Sequence, residues 1–202
     1  MQFGPSIDKR KTQRLVEGTL WNGFLELNRM AFSEALPKNS ESRAIAVAMK
    51  LIRKHAPQVK WVISFADATQ CGDGTIYRAS GFVLTGIKKN QQILELKDGR
   101  RISKKALDNV RLDGGRYLSS VVIEEGAKPL DGYQIRYVYF IDPAYRKNLT
   151  VPELSFDKIK EFGATMYRGT KRPKEHEPDT IGIRGRCDSD PDAPNLQDEV
   201  AE

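Results

Sequence analysis

The sequence predicts an α/β (α+β) fold, a mixed central sheet with helices against its faces. Three stretches carry that prediction. Trp61 to Ala66 is a continuous apolar run rich in β-branched side chains, the pattern of a buried strand. Ile45, Ala48, Met49 and Ile52 recur at i, i+3, i+4 and i+7, so one helix face packs on a core. Ahead of that helix, Phe24, Leu25, Leu27 and Met30 stand between polar neighbours, which predicts a strand over Leu20 to Phe32. Strand, helix and strand with short links form a βαβ unit whose two strands are expected to be parallel neighbours.

Taken in order, Met1 to Thr19 is mixed and carries a basic cluster at Lys9, Arg10, Lys11 and Arg14. Pro37 follows the first strand, and Asn39 or Ser40 supplies a side-chain oxygen to cap a helix that runs to about His55. The Trp61 strand stops at Asp67 and opens into a polar, Gly-bearing loop. Thr75 to Ser80 then reads as a helical turn with Gly81 at its C-terminal cap, and a second apolar strand begins at Phe82. Lys97-Asp98-Gly99-Arg100 between Ile93–Leu96 and Arg101–Ile102 is a hairpin signal, and Ser103 heads a basic helix over Lys104 to Val110. Tyr133 to Ile141 alternates as a strand until Pro143 breaks it. A helix over Lys158 to Tyr167 starts at Ser155 or Asp157. Beyond Lys171 the chain is rich in Pro, Asp and Glu and reads as a disordered tail. The expected organisation is one domain over residues 1–170, with a basic hairpin and helix inserted at 87–116, and a tail over 171–202.

A chain of 202 residues suffices for one domain with a real core. No run approaches the ~20 apolar residues of a membrane span, and MQFGPSIDKRK lacks the apolar centre of a secretory signal. Two distant cysteines, Cys71 and Cys187, suggest no disulfide framework, so a reducing cytoplasm is the expected compartment. Six acidic and no basic residues lie between Asp188 and Glu202, and without them the net charge rises from +6 to +12. A body so basic favours a polyanionic partner. The 87–116 region holds nine basic side chains against four acidic ones. Lys97, Arg100, Arg101, Lys104 and Lys105 are its candidate phosphate clamp, against the alternative of a solvated charged surface.

Candidate chemistry gathers around the βαβ unit. The segment Lys38-Asn39-Ser40-Glu41-Ser42-Arg43 opens a helix after a strand. Free N–H groups, the positive dipole end, two cations and two hydroxyls there suit a phosphate, with an ordinary capped helix as the alternative. Ser64 and Asp67 lie near the carboxyl end of the Trp61 strand, where Asp67 serves either as general base for a weakly nucleophilic amine or as a cap on the loop. Tyr77, one turn before Gly81, is either a proton donor or a packed aromatic. Tyr133, Tyr137, Tyr139 and Phe140 are base-stacking candidates or core. Cys71 has no nearby histidine to activate it, and no cluster has metal-ligand spacing.

The order from Trp61 to Gly86, with Tyr77, then Gly81-Phe82 entering the next strand, resembles the end of the acyl-CoA-dependent N-acetyltransferase (GNAT) fold. That resemblance implies a splayed strand at Asn28 and Arg29 that holds an acyl group, and a coenzyme A diphosphate cradled by Lys38, Asn39, Ser40, Ser42 and Arg43. The cradle usually carries a basic residue followed by two glycines; Lys38 and Arg43 supply charge here and the glycines are missing. LPKNSESRA, WVISFADATQCGDGTIYRASGF and RYVYFIDPAYRKNL together resemble the phage Mom family of DNA adenine-modifying proteins, over roughly Phe24 to Tyr167. The resemblance implies a GNAT-like domain that attaches a methylcarbamoyl or other acyl-type group to adenine N6 in double-stranded phage DNA. It would act in the host cytoplasm and shield the DNA from restriction, with acetyl-CoA or another acyl-CoA as donor and iron as an associated ion. The matching positions are Asn28, Arg29, Asn39, Ser40, Ser42, Arg43, Ser64, Asp67 and Tyr77. Only some twenty residues precede the first strand where a full GNAT domain carries about three strands and two helices, so the N-terminal part of that fold is expected to be missing. An acetyltransferase for another amine and a non-catalytic DNA-binding form are the alternatives.

Overall fold

The computed structural model describes residues 1–33, 35–69 and 72–165, and the backbone of 166–167 and 170–171. Cys71, Cys187 and the tail expected beyond Lys171 lie outside the described residues. Five strands form the main sheet: β1 (Gln2–Gly4), β2 (Phe24–Arg29), β3 (Trp61–Asp67), β4 (Val83–Lys89) and β8 (Tyr133–Phe140), in the order β1-β2-β3-β8-β4. β2 and β3 are parallel, as the βαβ pattern requires, and every other pairing is antiparallel. The sheet is therefore mixed, with β3 at its centre.

Alternation along the strands builds two layers. On one face Leu27, Val62, Ala66, Leu84, Ile135 and Tyr137 meet α2 (Ser40–His55), α3 (Thr75–Ala79) and α6 (Asp157–Glu161) through Ile45, Met49, Tyr77 and Ile159. On the other face Phe24, Trp61, Ile63 and Val138 pack beneath Val16, Leu149 and Tyr145. These covering residues come from the segment after α1 (Lys9–Gln13) and from a 3-10 helix at Pro143–Asn148. Phe24 and Trp61 stack at 4.5 Å, and the indole N–H donates to Thr19 Oγ1 at 2.9 Å. This second layer covers only the amino end of β3. Toward the carboxyl end Phe65 remains 42 % exposed.

Between β4 and β8 the insertion is a small body with its own core. β5 (Ile93–Glu95), β6 (Arg101–Ser103) and β7 (Lys128–Pro129) form a sheet, and α4 (Lys104–Asp108) and α5 (Leu118–Glu124) close over Leu94, Leu107 and Ala127. The unit runs past the expected limit at 116 because β7 completes its sheet. The buried side chain of Asn90 ties the neck: Nδ2 donates to the carbonyls of Ile93 and Leu130, and Oδ1 accepts from the N–H groups of Gln92 and Ile93.

Two expected elements are shorter in the structure. The first strand spans Phe24–Arg29 and not Leu20 to Phe32, because Leu20 to Gly23 closes a turn (Gly23 N–H to Leu20 O, 2.8 Å). The helix expected over Lys158 to Tyr167 ends at Glu161, since Gly163 takes φ +65° and Ala164 N–H bonds back to Ile159 O. Met166–Tyr167 (β9) pairs instead with Thr170–Lys171 (β10). Among the described residues no helix is long and apolar enough to cross a membrane.

Candidate active site

β2 and β3 pair at Phe24/Trp61, Leu25/Val62 and Glu26/Ile63, and there the ladder ends although both strands continue. The pair opens at its carboxyl end, the place where open α/β sheets hold ligands. Ser64 bridges the opening: its buried hydroxyl donates to Leu27 O at 3.2 Å. Tyr77 stands beside it, 8 % exposed, its ring tilted against Phe82 and Tyr137 at 5.3 Å from each. Burial pushes the Tyr77 phenol up from 10, and the Ser64 hydroxyl partly offsets that rise. The phenol therefore keeps its proton at neutral pH.

The loop and α3 position Tyr77. Asp73 Oδ1 accepts from the Thr75 N–H and hydroxyl, and the Asp73 carbonyl accepts from the Tyr137 hydroxyl at 2.5 Å. Gly74 sits at φ +82° against the Tyr137 ring, where a side chain has no room. At the other end Gly81 takes φ +81° and Phe82 N–H bonds to Tyr77 O at 3.0 Å, a glycine-dependent C-terminal closure that brings the chain into β4. The Tyr77, Gly81, Phe82 spacing is thus a structural unit, legible in the sequence. Tyr137 is fully buried and works as a post for the Asp73 loop. It cannot stack a base, while Tyr133, Tyr139 and Phe140 are half-buried.

Alternation divides the remaining candidates. Arg29 falls on the α2 face with Leu27, and Ser64 lies on that face too. Asn28 and Asp67 fall on the opposite face. Asn28 Nδ2 donates to Pro5 O at 3.4 Å. Asp67 Oδ1 accepts from Thr69 N–H (3.0 Å), Thr69 Oγ1 (2.5 Å) and Gln134 Nε2 (3.0 Å), so it caps the loop that follows β3. Asp67 lies three positions from Ser64 along β3, an odd step, so the two side chains leave the sheet on opposite faces.

α2 begins at the same end of the sheet. Asn39 is its N-cap residue in a left-handed conformation (φ +66°), but its side chain caps nothing, contrary to the expected oxygen cap. Ser40 Oγ donates to Pro37 O and Ser42 Oγ to Asn39 O, so both hydroxyls turn back to carbonyls. Lys38 and Arg43 are exposed beside this positive end, with Glu41 as the acidic residue of the first turn. Of the insertion cations, Arg100 pairs with Asp98 at 2.7 Å and Arg101 with Glu95 at 3.8 Å, whereas Lys97, Lys104 and Lys105 form no ion pair among the described residues. The insertion stands over the same sheet end as Asp67, since Gly132 abuts Ala68 and Thr69. No group of three His, Cys, Asp or Glu side chains able to hold a metal occurs among the described residues.

The methylcarbamoylase Mom of Escherichia phage Mu is 36 % identical over 150 residues, a stretch covering 74 % of this chain and 61 % of that relative. The chain thus spans less than two thirds of the relative's length. Residues 1–158 match the Mom protein family, which takes in the main sheet, α2, α3, the whole insertion and α6 up to Lys158. On that match the chain belongs to the Mom protein family.

Proposed function

We propose that this chain is a phage DNA adenine-modifying transferase, placing a methylcarbamoyl or other acyl-type group on adenine N6 and so protecting the DNA from restriction. Its similarity to a relative named a methylcarbamoylase supports the reaction type. The observation that carries the site is the opening of the β2–β3 pair beside Ser64 and Tyr77. That opening also supports a GNAT-like reading of the sheet, in which separated parallel strands offer free backbone groups to an acyl chain. The N–H groups of the first α2 turn, uncapped by Asn39, suit the diphosphate of an acyl-CoA, with Lys38 and Arg43 adding charge and Arg29 lying nearby on the same face. Such a donor supplies an electrophilic carbonyl.

The residues of the chain do the rest. N6 attacks the donor's carbonyl carbon, forming the C–N bond and breaking the C–S bond; Tyr77 gives its hydroxyl proton to the departing thiolate, N6 releases its proton to water, and the tyrosinate takes a proton back from water. Ser64 orients that hydroxyl. Asp67 positions the loop and Gln134 behind the site. An adenine paired in a duplex must leave the stack to reach this depth, and Lys97, Lys104 and Lys105, with Arg100 and Arg101 released from their exposed ion pairs, hold the flanking phosphates.

The test is mass spectrometry of nucleosides from plasmid DNA of bacteria expressing the chain. The expected result is a heavier deoxyadenosine, reduced about 10²- to 10⁴-fold in Tyr77→Phe. Unmodified deoxyadenosine from soluble, folded protein refutes the reading. Retained duplex binding would then point to a non-catalytic form, and an acylated amine elsewhere to an acetyltransferase of different substrate.

A further inference from the structure

The basic cluster at the N-terminus takes no part in the site described above. Lys9, Arg10, Lys11 and Arg14 lie on or just after α1, and none of them forms an ion pair among the described residues. Arg10 and Arg14 line an open cleft of about 640 Å³, with Thr19, Thr150 and the single carboxylate of Glu17 among its other walls. Beside α1 the chain turns through Leu20 and Trp21, which are 74 % and 51 % exposed. Lys9 Nζ lies 4.5 Å over the Trp21 ring and also donates to Asn22 Oδ1. Trp61, the other tryptophan, is fully buried against Phe24.

We propose that α1 and the Leu20–Trp21 turn form a second nucleic-acid contact. Arg10, Lys11 and Arg14 take backbone phosphates, and the Trp21 indole lies against a base or sugar. Four cations without an ion pair on or just after one helix, the first of them over an exposed aromatic ring, match the combination that holds a nucleic-acid strand, where phosphate contacts give affinity and a π face accepts any base. A bilayer fits less well, since Lys9 on the ring face would have to follow the indole out of water. The surface lies at the amino end of β3, where Lys60 N–H bonds to Gly23 O, whereas the candidate active site lies at the carboxyl end. Trp61 at that end and Ser64 at the site stand three positions apart along β3, about 10 Å, or about three base pairs of duplex. The contact therefore addresses DNA flanking the reacting base. It goes beyond the proposed transfer reaction and needs no turnover.

The experiment uses the whole chain and a fluorescein-labelled duplex of about three helical turns. Binding is followed by anisotropy over a salt series and by tryptophan emission. Duplex should quench Trp21 emission in the wild type and leave Trp21→Phe unquenched, since Trp61 is shielded and its emission reports that the fold is intact. Arg10→Gln/Arg14→Gln should flatten the slope of log affinity against log salt by about 2. An unchanged slope with unquenched Trp21 overturns the proposal. So does quenching by phosphatidylserine vesicles with none by duplex, which would make the surface a membrane contact. Because the readout is binding, failure to find modified adenine does not decide it.

Discussion

Replacing Gly74 by alanine tests how the loop supports Tyr77. The residue sits at φ +82°, and a Cβ built there would stand 2.8 Å from Tyr137 Cζ and 3.0 Å from Ala66 Cβ. A left-handed conformation costs an L-residue about 1–2 kcal/mol, and overpacking a rigid core adds about 1–3 kcal/mol. Both neighbours are buried, and the Tyr137 ring is tethered by its hydroxyl bond to Asp73 O, so it has little room to retreat. We expect Gly74→Ala to destabilise by about 3 kcal/mol. Gly99→Ala is the control: that glycine also takes φ +82°, but nothing lies within 4 Å of the added Cβ, so only the backbone cost of about 1 kcal/mol remains. Urea unfolding of the two variants, read at equal m-value, isolates the steric part as their difference. Equal losses would refute the reasoning, because they would mean that Tyr137 yields freely and does not fix the loop.

Other outcomes follow from the same geometry. Burial raises the phenol of Tyr137 well above its ordinary value of 10, with the Asp73 carboxylate adding to the rise, and Tyr77 shifts in the same direction. Stability from these groups is fully present below pH 10 and falls as pH rises toward their folded-state values. Tyr137→Phe should cost about 1 kcal/mol at neutral pH through the lost bond to Asp73 and lose less than the wild type in alkaline unfolding curves. Asn90→Ala removes a buried side chain that satisfies four backbone groups, so hydrogen exchange should speed up in β5 and β7 while the main sheet stays protected, with a loss of about 2–3 kcal/mol. Lys104→Gln/Lys105→Gln should reduce the salt slope of duplex binding by about 2 and change unfolding stability by no more than about 0.5 kcal/mol, since Lys105 is exposed, Lys104 half-exposed and neither forms an ion pair among the described residues.

The sequence by itself determined the elements whose pattern is complete within one stretch. α2 announces itself through its apolar stripe, β3 through an unbroken β-branched run, and the α3-to-β4 passage through Gly81, because each pattern answers to local backbone geometry. Parallel pairing of β2 and β3 followed from the short links between them. β1, β7 and α1 escaped notice because they are short and held by partners far along the chain: β1 exists only against β2, and β7 only against β5. The same division holds at the site. Ser64 and Tyr77 were visible as residues of the right chemistry in the right order, but their contact spans β3 and α3 and depends on packing. Asp67 also read as a cap or a general base, and only the pairing of β3 with β8 set Gln134 opposite it as a hydrogen-bond donor. Trp21 read as part of a strand until the Leu20–Gly23 turn put it into solvent. Residue chemistry and local periodicity are properties of the chain. Which face a side chain joins, and what meets it there, depends on which strands pair and in which register, and only the tertiary structure decided that.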